Sequence, residues 1–241
     1  MTDLGWNHSA HAWIARQGEA GDVTRVHALD APMLAHLPAS GRALDIGCGE
    51  GRFCRMMRAR GLDPTGLDIT PALIAAAKAK DPDGTYVEAS AESLPFDDAT
   101  FDVAVFYLSL IDIPDFRAAI AEAARILKPG APLLIANLTE TVTARPRGWN
   151  HEGSHWVSDG DVLRYIAVDD IPLERPVVCA WDNIRIENYH RPLSAYMTAL
   201  LAAGLTLTAF QNPPYTGPDS SSKEKFNRVP WAFFMAWAKP E

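Results

Sequence analysis

Apolar positions fall along this chain in two alternating rhythms. Ala43–Ile46, Phe101–Tyr107 and Pro132–Leu138 are short runs without the polar alternation of a one-faced strand, so they read as strands buried on both faces of a parallel sheet. Pro64–Asp68 and Thr85–Glu88 are shorter strands of the same kind, the first ending in an acid. Helical spacing separates them. Phe53, Met56 and Met57 share one side of a helix running to Arg60. An alanine-rich helix follows to Lys80, with Thr70 as its N-cap and Pro71 at its first position. Asp115 to Leu127 is a third helix, stopped by Lys128-Pro129-Gly130. Strands alternating with helices predict a doubly wound α/β sheet. Farther on come a helix over Pro192–Ala203, a strand over Leu205–Phe210, a polar loop from Asn212 to Val229 and a last strand over Trp231–Ala238. These complete a seven-stranded, mostly parallel sheet with helices on both faces and an antiparallel last strand.

The stretch Ala43 to Phe53 organises the rest. Gly47, Gly49 and Gly51 let the backbone turn tightly and approach a ligand where a Cβ would collide. Strand, glycine turn and helix together make a nucleotide-type pocket at the carboxyl end of a sheet. A dinucleotide fingerprint needs a small residue at its sixth position, which here is Arg52. Asp45 ends the strand where a pyrophosphate would be repelled. A carboxylate there suits a cationic ligand, such as one bearing an α-ammonium and a sulfonium. Asp68 lies about 20 residues past the turn, where a carboxylate takes both ribose hydroxyls.

Two segments flank this frame. Residues 1–40 are helical in pattern and rich in Trp and His, with a break at Gly18 and Gly21-Asp22 before a second helix over Val23–Leu37. Trp6 and Trp13 lie on one face of the first helix. That face is either an ordinary packing surface or a lid whose aromatic rings cover a cationic cofactor. From Thr139 to His190 the alternation lapses into a stretch holding Trp149, His151, His155, Trp156, Trp181, Tyr189 and His190. Such an insertion reads as a cover over an active site. One domain over 1–241 is expected, with 1–40 as the lid and 139–190 covering the substrate.

Composition narrows the function. With 48% hydrophobic and 22% charged residues the chain is an ordinary globular protein. Its net charge of −8 lacks the footprint of a nucleic-acid binder. No apolar run reaches the roughly 20 residues that span a bilayer. Met1–Ala10 has neither a basic nor an apolar leader region. Cys48, Cys54 and Cys179 form no disulfide framework and no metal-ligand spacing with histidine. A cytoplasmic enzyme without a metal, acting on a small molecule, is the expectation, with oligomeric state open.

Four blocks carry a resemblance. Leu44-Asp45-Ile46-Gly47-Cys48-Gly49-Glu50-Gly51, Gly66-Leu67-Asp68, Leu94-Pro95-Phe96 with Phe101-Asp102-Val103, and Leu127-Lys128-Pro129-Gly130 resemble the small-molecule, type 11-like branch of class I S-adenosylmethionine-dependent methyltransferases. Tyr189 to Tyr196 and Leu200 to Leu205 are similar to the segment before the sixth strand of bacterial members. The resemblance implies a Rossmann-like fold and S-adenosylmethionine as cofactor, with S-adenosylhomocysteine as product. It further implies that Asp45, Gly47, Cys48, Gly49 and Gly51 hold the methionine end and that Asp68 holds the ribose. Ile69, Ser90, Ala91, Glu92 and Tyr107 would then line the rest of the cofactor site. Ser90 stands where members often carry an acid, and Thr139-Glu140 where relatives often carry His-Pro.

Methyl transfer from a sulfonium is an in-line displacement that needs alignment, exclusion of water and, for some nucleophiles, a base. Asp112 and His190 are the candidate bases, each with a structural alternative: a turn cap for Asp112, a tie within the insertion for His190. A carboxylate or neutral amine acceptor needs no base. Trp6, Trp13, Trp149 and Tyr189 are candidate substrate and lid residues. Asn212-Pro213-Pro214-Tyr215 spells an amino-methylating motif but follows the sixth strand instead of the fourth, so it reads as a coincidental turn. The rival functions are a cofactor-binding protein of this fold without catalysis and an NAD-linked oxidoreductase.

Overall fold

The computed structural model describes residues 5–18, 21–145, 156–160 and 162–241. The chain begins with α1 (Trp6–Gln17), a wide helical turn over Arg25–Leu29 and α2 (Asp30–Ala35). The nucleotide-type frame follows as β1 (Gly41–Ile46), α3 (Arg52–Arg58), β2 (Leu62–Asp68), α4 (Pro71–Lys80), β3 (Thr85–Glu88), β4 (Val103–Tyr107), α5 (Phe116–Ile126) and β5 (Pro132–Leu138). After a short α6 (Glu140–Thr143) come two antiparallel hairpins, β6 (Trp156–Asp159) with β7 (Val162–Ile166), and β8 (Arg175–Trp181) with β9 (Ile184–His190). The chain closes with α7 (Leu193–Ala202), β10 (Thr206–Gln211), α8 (Ser221–Arg228) and β11 (Ala232–Ala238).

Seven strands form the main sheet in the order β10-β11-β5-β4-β1-β2-β3. The chain first runs outward from β1 to β3, then restarts at β4 on the other side of β1. That reversal opens a crevice at the carboxyl ends of β1 and β4. β11 runs antiparallel between β5 and β10, as the last two strands' closeness in sequence predicts. Strands buried on both faces divide the core in two. Leu44, Ile46, Phe106, Phe116 and Trp237 pack on one face, and Ala43, Met57, Val103, Val105 and Phe234 on the other.

Several local readings change. The segment predicted as a polar loop contains α8, whose Ser220 side chain accepts from the Lys223 N–H at 3.3 Å. Among its residues only Phe226 is apolar, so no stripe announces the helix. Thr70 makes no side-chain cap for α4; Asp68 accepts the Thr70 N–H at 2.8 Å instead. Phe101 stands outside β4 as an isolated bridge to Leu127. The predicted helix over Val23–Leu37 is divided into the wide turn and α2.

Candidate active site

The crevice holds a cavity of about 680 Å³, of a size for a small ligand. Its floor is the set of strand ends that the sequence pattern predicts. Parallel register places Asp45 beside Gly66 on one side and Val105 on the other. The carboxyl ends of β1, β2 and β4 thus bring Asp45, Asp68 and Tyr107 to one edge. Gly47 turns at a φ of 78°, and a Cβ there would sit 2.4 Å from that of Ser109. No other residue fits this turn. Leu108, also on the cavity wall, holds a left-handed φ of 57°, a strain worth about 1–3 kcal/mol of the kind that collects at functional sites.

The floor fits a cationic amino-acid nucleoside. Asp45 is 1% exposed; one carboxylate oxygen takes a 3.5 Å bond from the Cys54 thiol, and the other has no partner. Burial pushes this carboxyl up to about 7 despite the thiol. An orphaned acid oxygen in a cavity wall is a receptor for a ligand ammonium. Gln17, at the end of α1, supplies the complement. Its side-chain oxygen accepts the Asp22 N–H at 3.2 Å, while its buried NH₂ has no partner and lines the same cavity. A donor and an acceptor both left open match the two ends of a zwitterion. Asp68 is fixed by the Gly49 N–H at 3.0 Å and the Thr70 N–H at 2.8 Å, each on a different oxygen. The Thr70 hydroxyl and the Ile69 N–H also donate to this carboxylate, which holds it rigidly in the cavity wall. Ile69, 65% exposed, offers an apolar face in the same wall.

Other expected contacts are rearranged. Cys48, Gly49, Ser90, Ala91, Glu92 and Tyr107 line the cavity, and Gly51 does not. Gly51 is left-handed with φ 79°, and a Cβ there would meet the Tyr86 hydroxyl at 2.6 Å, so its part is the turn itself. The Ser90 hydroxyl oxygen accepts the Glu92 N–H at 3.2 Å, and the Glu92 carboxylate accepts the Asp115 N–H at 2.8 Å. Tyr107 donates to Asp30 at 2.7 Å, which also takes both terminal nitrogens of Arg52. Arg52 occupies the sixth position of the turn because it clamps α2 onto α3.

The roof comes from α1 and the β8–β9 hairpin. The Arg185 carbonyl accepts from the Gly5 N–H at 2.9 Å and from the Ser9 hydroxyl at 3.1 Å, fastening α1 along β9. Trp6 and Trp13 meet edge to face at 5.3 Å, and both line the cavity. Asp112, in a short turn after β4, faces the cavity beneath them. It accepts hydrogen bonds from the Asn188 amide on β9 and from Trp6. Burial pushes its carboxyl up to about 8, with the charge of Asp68 adding in the same direction.

His190 does not reach this space. The residue is fully buried outside the cavity, with Nε2 2.9 Å from the Ile171 carbonyl and Nδ1 2.8 Å from the Thr143 hydroxyl. A carbonyl only accepts, so Nε2 carries the proton and Nδ1 accepts from Thr143. Burial lowers the pKa of this neutral ring. Tyr189 points to the other face of β9, donating to Glu187 at 2.8 Å under the Arg191 guanidinium. Trp149, His151 and His155 lie outside the described residues. The Asn212–Tyr215 turn is a strut: Tyr215 is 4% exposed and exchanges backbone bonds with the Asn227 amide at 2.8 and 3.2 Å. Gln17, Arg145, Trp181 and Asn188 line the cavity without having been singled out for it. No group of metal-ligating side chains occurs among the described residues.

The sequence profile described as a methyltransferase domain matches residues 44–135, the frame from β1 to β5. A malonyl-[acyl-carrier protein] O-methyltransferase of Serratia marcescens is 36% identical over 95 residues, which are 39% of this chain and 37% of that protein. The match therefore spans well under half of the relative's length. A crystal structure of an S-adenosylmethionine-dependent methyltransferase from Mesorhizobium loti superposes with a TM-score of 0.73 at 22% identity, covering 92% of this chain and 100% of that one. The 1,6-didemethyltoxoflavin N1-methyltransferase of Burkholderia thailandensis, solved with S-adenosylhomocysteine, gives a TM-score of 0.59 at 19% identity, over 97% of this chain and 84% of that one. S-adenosylmethionine is the cofactor of the methyltransferases this chain resembles, and the open atoms of Asp45 and Gln17, with Asp68 and Ile69, all line one cavity. Sequence blocks and sheet order agree: residues 44–135 match a methyltransferase domain, and the chain has the fold of S-adenosylmethionine-dependent methyltransferases of known structure.

Proposed function

We propose that this protein transfers a methyl group to an oxygen, nitrogen or carbon of a small molecule by in-line displacement. The observation that carries the reading is one cavity lined by Asp45, Asp68 and Asp112 together, with Trp6 donating to Asp112. When bound, S-adenosylmethionine supplies an electrophilic methyl on a sulfonium. Asp45 and Gln17 hold the amino-acid end, and Asp68 the ribose. The Trp6–Trp13 pair, on the cavity wall, would exclude water and offer ring π-density to a cationic centre bound there. Asp112 takes the proton of a hydroxyl or ammonium acceptor. A carboxyl raised to about 8 is a stronger base than an ordinary aspartate and is half ionised near working pH. Asn188 and Trp6 orient it.

His190 is not assigned a catalytic part, because both its ring nitrogens are used within the fold. An acidic chain favours a small molecule over nucleic acid as acceptor. No helix among the described residues is long and apolar enough to cross a membrane. Three unpaired, buried cysteines are in keeping with the cytoplasm.

The test is turnover of labelled S-adenosylmethionine over a panel of phenols, amines and acids, with Asp112→Asn beside the parent. For a protic acceptor, Asp112→Asn should bind S-adenosylhomocysteine as the parent does and lose about 10²–10⁴ in kcat. An Asp112→Asn protein that turns over at the parent rate rules out this base.

A further inference from the structure

Four arginines line the cavity, and three of them have carboxylate partners. Arg16 pairs with Asp182, Arg25 with Asp22 and Arg52 with Asp30. Arg145, just beyond α6, pairs with none among the described residues. Its backbone is well held: the N–H reaches the Thr143 carbonyl at 2.8 Å and the carbonyl accepts from Arg175. Its side chain lines the main cavity and, with Asn188, Cys179 and Val177, a small recess beside it. The recess adjoins Asn188, the residue that holds Asp112. The unpaired cation therefore shares a recess with the residue that holds Asp112.

The surrounding wall is apolar. Val177, Cys179, Ile184 and Ile186 of the β8–β9 hairpin form a small core of their own, against which Trp6 and Trp181 pack. A buried or half-buried guanidinium without a counterion keeps a desolvation cost that an anionic ligand relieves. Its planar fork accommodates a carboxylate with two parallel hydrogen bonds. One unpaired positive charge balances one negative charge. A phosphate monoester would leave a second negative charge facing Asp112 and Asp68, so a monocarboxylate fits the site better.

Resting on the methyltransferase reading above, we infer that the acceptor is an apolar monocarboxylic acid anchored through its carboxylate on Arg145. The anchored end lies beside Asn188, which leaves a hydroxyl or amine elsewhere on the molecule to face Asp112. Arg145 is thus a specificity-determining residue, and the methylated atom is distinct from the anchoring carboxylate.

Binding, not turnover, decides it. The full-length protein is titrated with aliphatic and aryl monocarboxylates of increasing length, each beside its primary amide and its primary amine, with and without saturating S-adenosylhomocysteine. The expected result is at least one acid that binds about tenfold or more tighter than its amide, the scale of a lost charge-assisted hydrogen bond. Arg145→Met should erase that preference, and Arg145→Lys should keep part of it. Thermal melting and S-adenosylhomocysteine affinity of both variants should match the parent, since the side chain supports no other described group. Equal affinity for acids and amides, tighter binding of the amines, no acid bound at millimolar concentration, or a preference intact in Arg145→Met would each overturn the inference. Loss of the S-adenosylhomocysteine titration itself would strike at the methyltransferase reading, while the acid series without it would still decide the role of Arg145.

Discussion

At the scale of single residues, the site is defined by polar atoms that the fold leaves open. Asp45 is the most informative. With its folded pKa raised to about 7 from 3.8, the carboxyl is largely protonated below neutrality. The stability this burial allows is complete below 3.8 and is lost as pH rises through about 7. A ligand ammonium favours the ionised form and drops that pKa again. S-adenosylhomocysteine binding near pH 6.5 should therefore release a proton, seen as a dependence of titration enthalpy on the buffer's ionisation heat. Gln17→Glu keeps the acceptor for the Asp22 N–H and replaces the open donor with a negative charge. It should weaken S-adenosylhomocysteine by more than about tenfold, measured by the same titration; unchanged affinity would remove Gln17 from the cradle. The meeting of Asp45, Gly47 and Asp68 at one strand edge was legible in the sequence because strand, turn and spacing fix them locally. Gln17 and Arg145 were not, because only tertiary packing brings them to the cavity and decides that they lack partners.

At the scale of elements, β9 shows how a two-residue period assigns roles. Ile186, Asn188 and His190 share one face of the strand. The first two meet the cavity, and the third has passed beyond it to lie beneath α6. The sequence placed a histidine at the right edge of the sheet, and the strand's length puts Asn188 where that histidine was expected. His190 joins β9 to α6 and to the Ile171 backbone. Its depressed pKa means that the stability it contributes is complete above 6.5 and lost as pH falls through its folded value. His190→Ala should lower the melting temperature, by about 2 kcal/mol or more of stability, and flatten the loss of melting temperature on acidification. The shape of the pH–rate profile should stay as in the parent, rising as pH increases through about 8 with Asp112. A profile that loses its ionisation in His190→Ala would return the base to His190. The insertion was legible only as a departure from alternation, since a hairpin such as β8–β9, which packs on α1, carries no pattern tied to the main sheet. For α1 itself, removal of residues 1–15 takes away Trp6, Trp13 and the ties to Arg185. S-adenosylhomocysteine should then bind more weakly and quench or enhance less tryptophan fluorescence than in the parent. A truncated protein that binds as tightly would make α1 a packing helix alone.

At the scale of the whole molecule, the topological reversal between β1 and β4 opens one cavity at the carboxyl ends of the parallel strands. The parallel strands present acids and glycines at a common edge, and the cap of α1 with the β8–β9 hairpin closes over it. Alternating runs and helices made the seven-stranded sheet readable, and the reversed last strand followed from the succession of the last two strands without a crossover helix pattern between them, although α8 does lie in their connection. On this topology the edge is built to receive a cationic adenosyl amino acid instead of a dinucleotide. Isothermal titration of the full-length protein with S-adenosylmethionine, S-adenosylhomocysteine and NAD tests it most directly. Micromolar-range binding of the first two, a loss of about 1.5–3 kcal/mol in Asp68→Ala and no heat from NAD are the predicted results. Binding of NAD, or the absence of any S-adenosylmethionine and S-adenosylhomocysteine binding, would contradict the account.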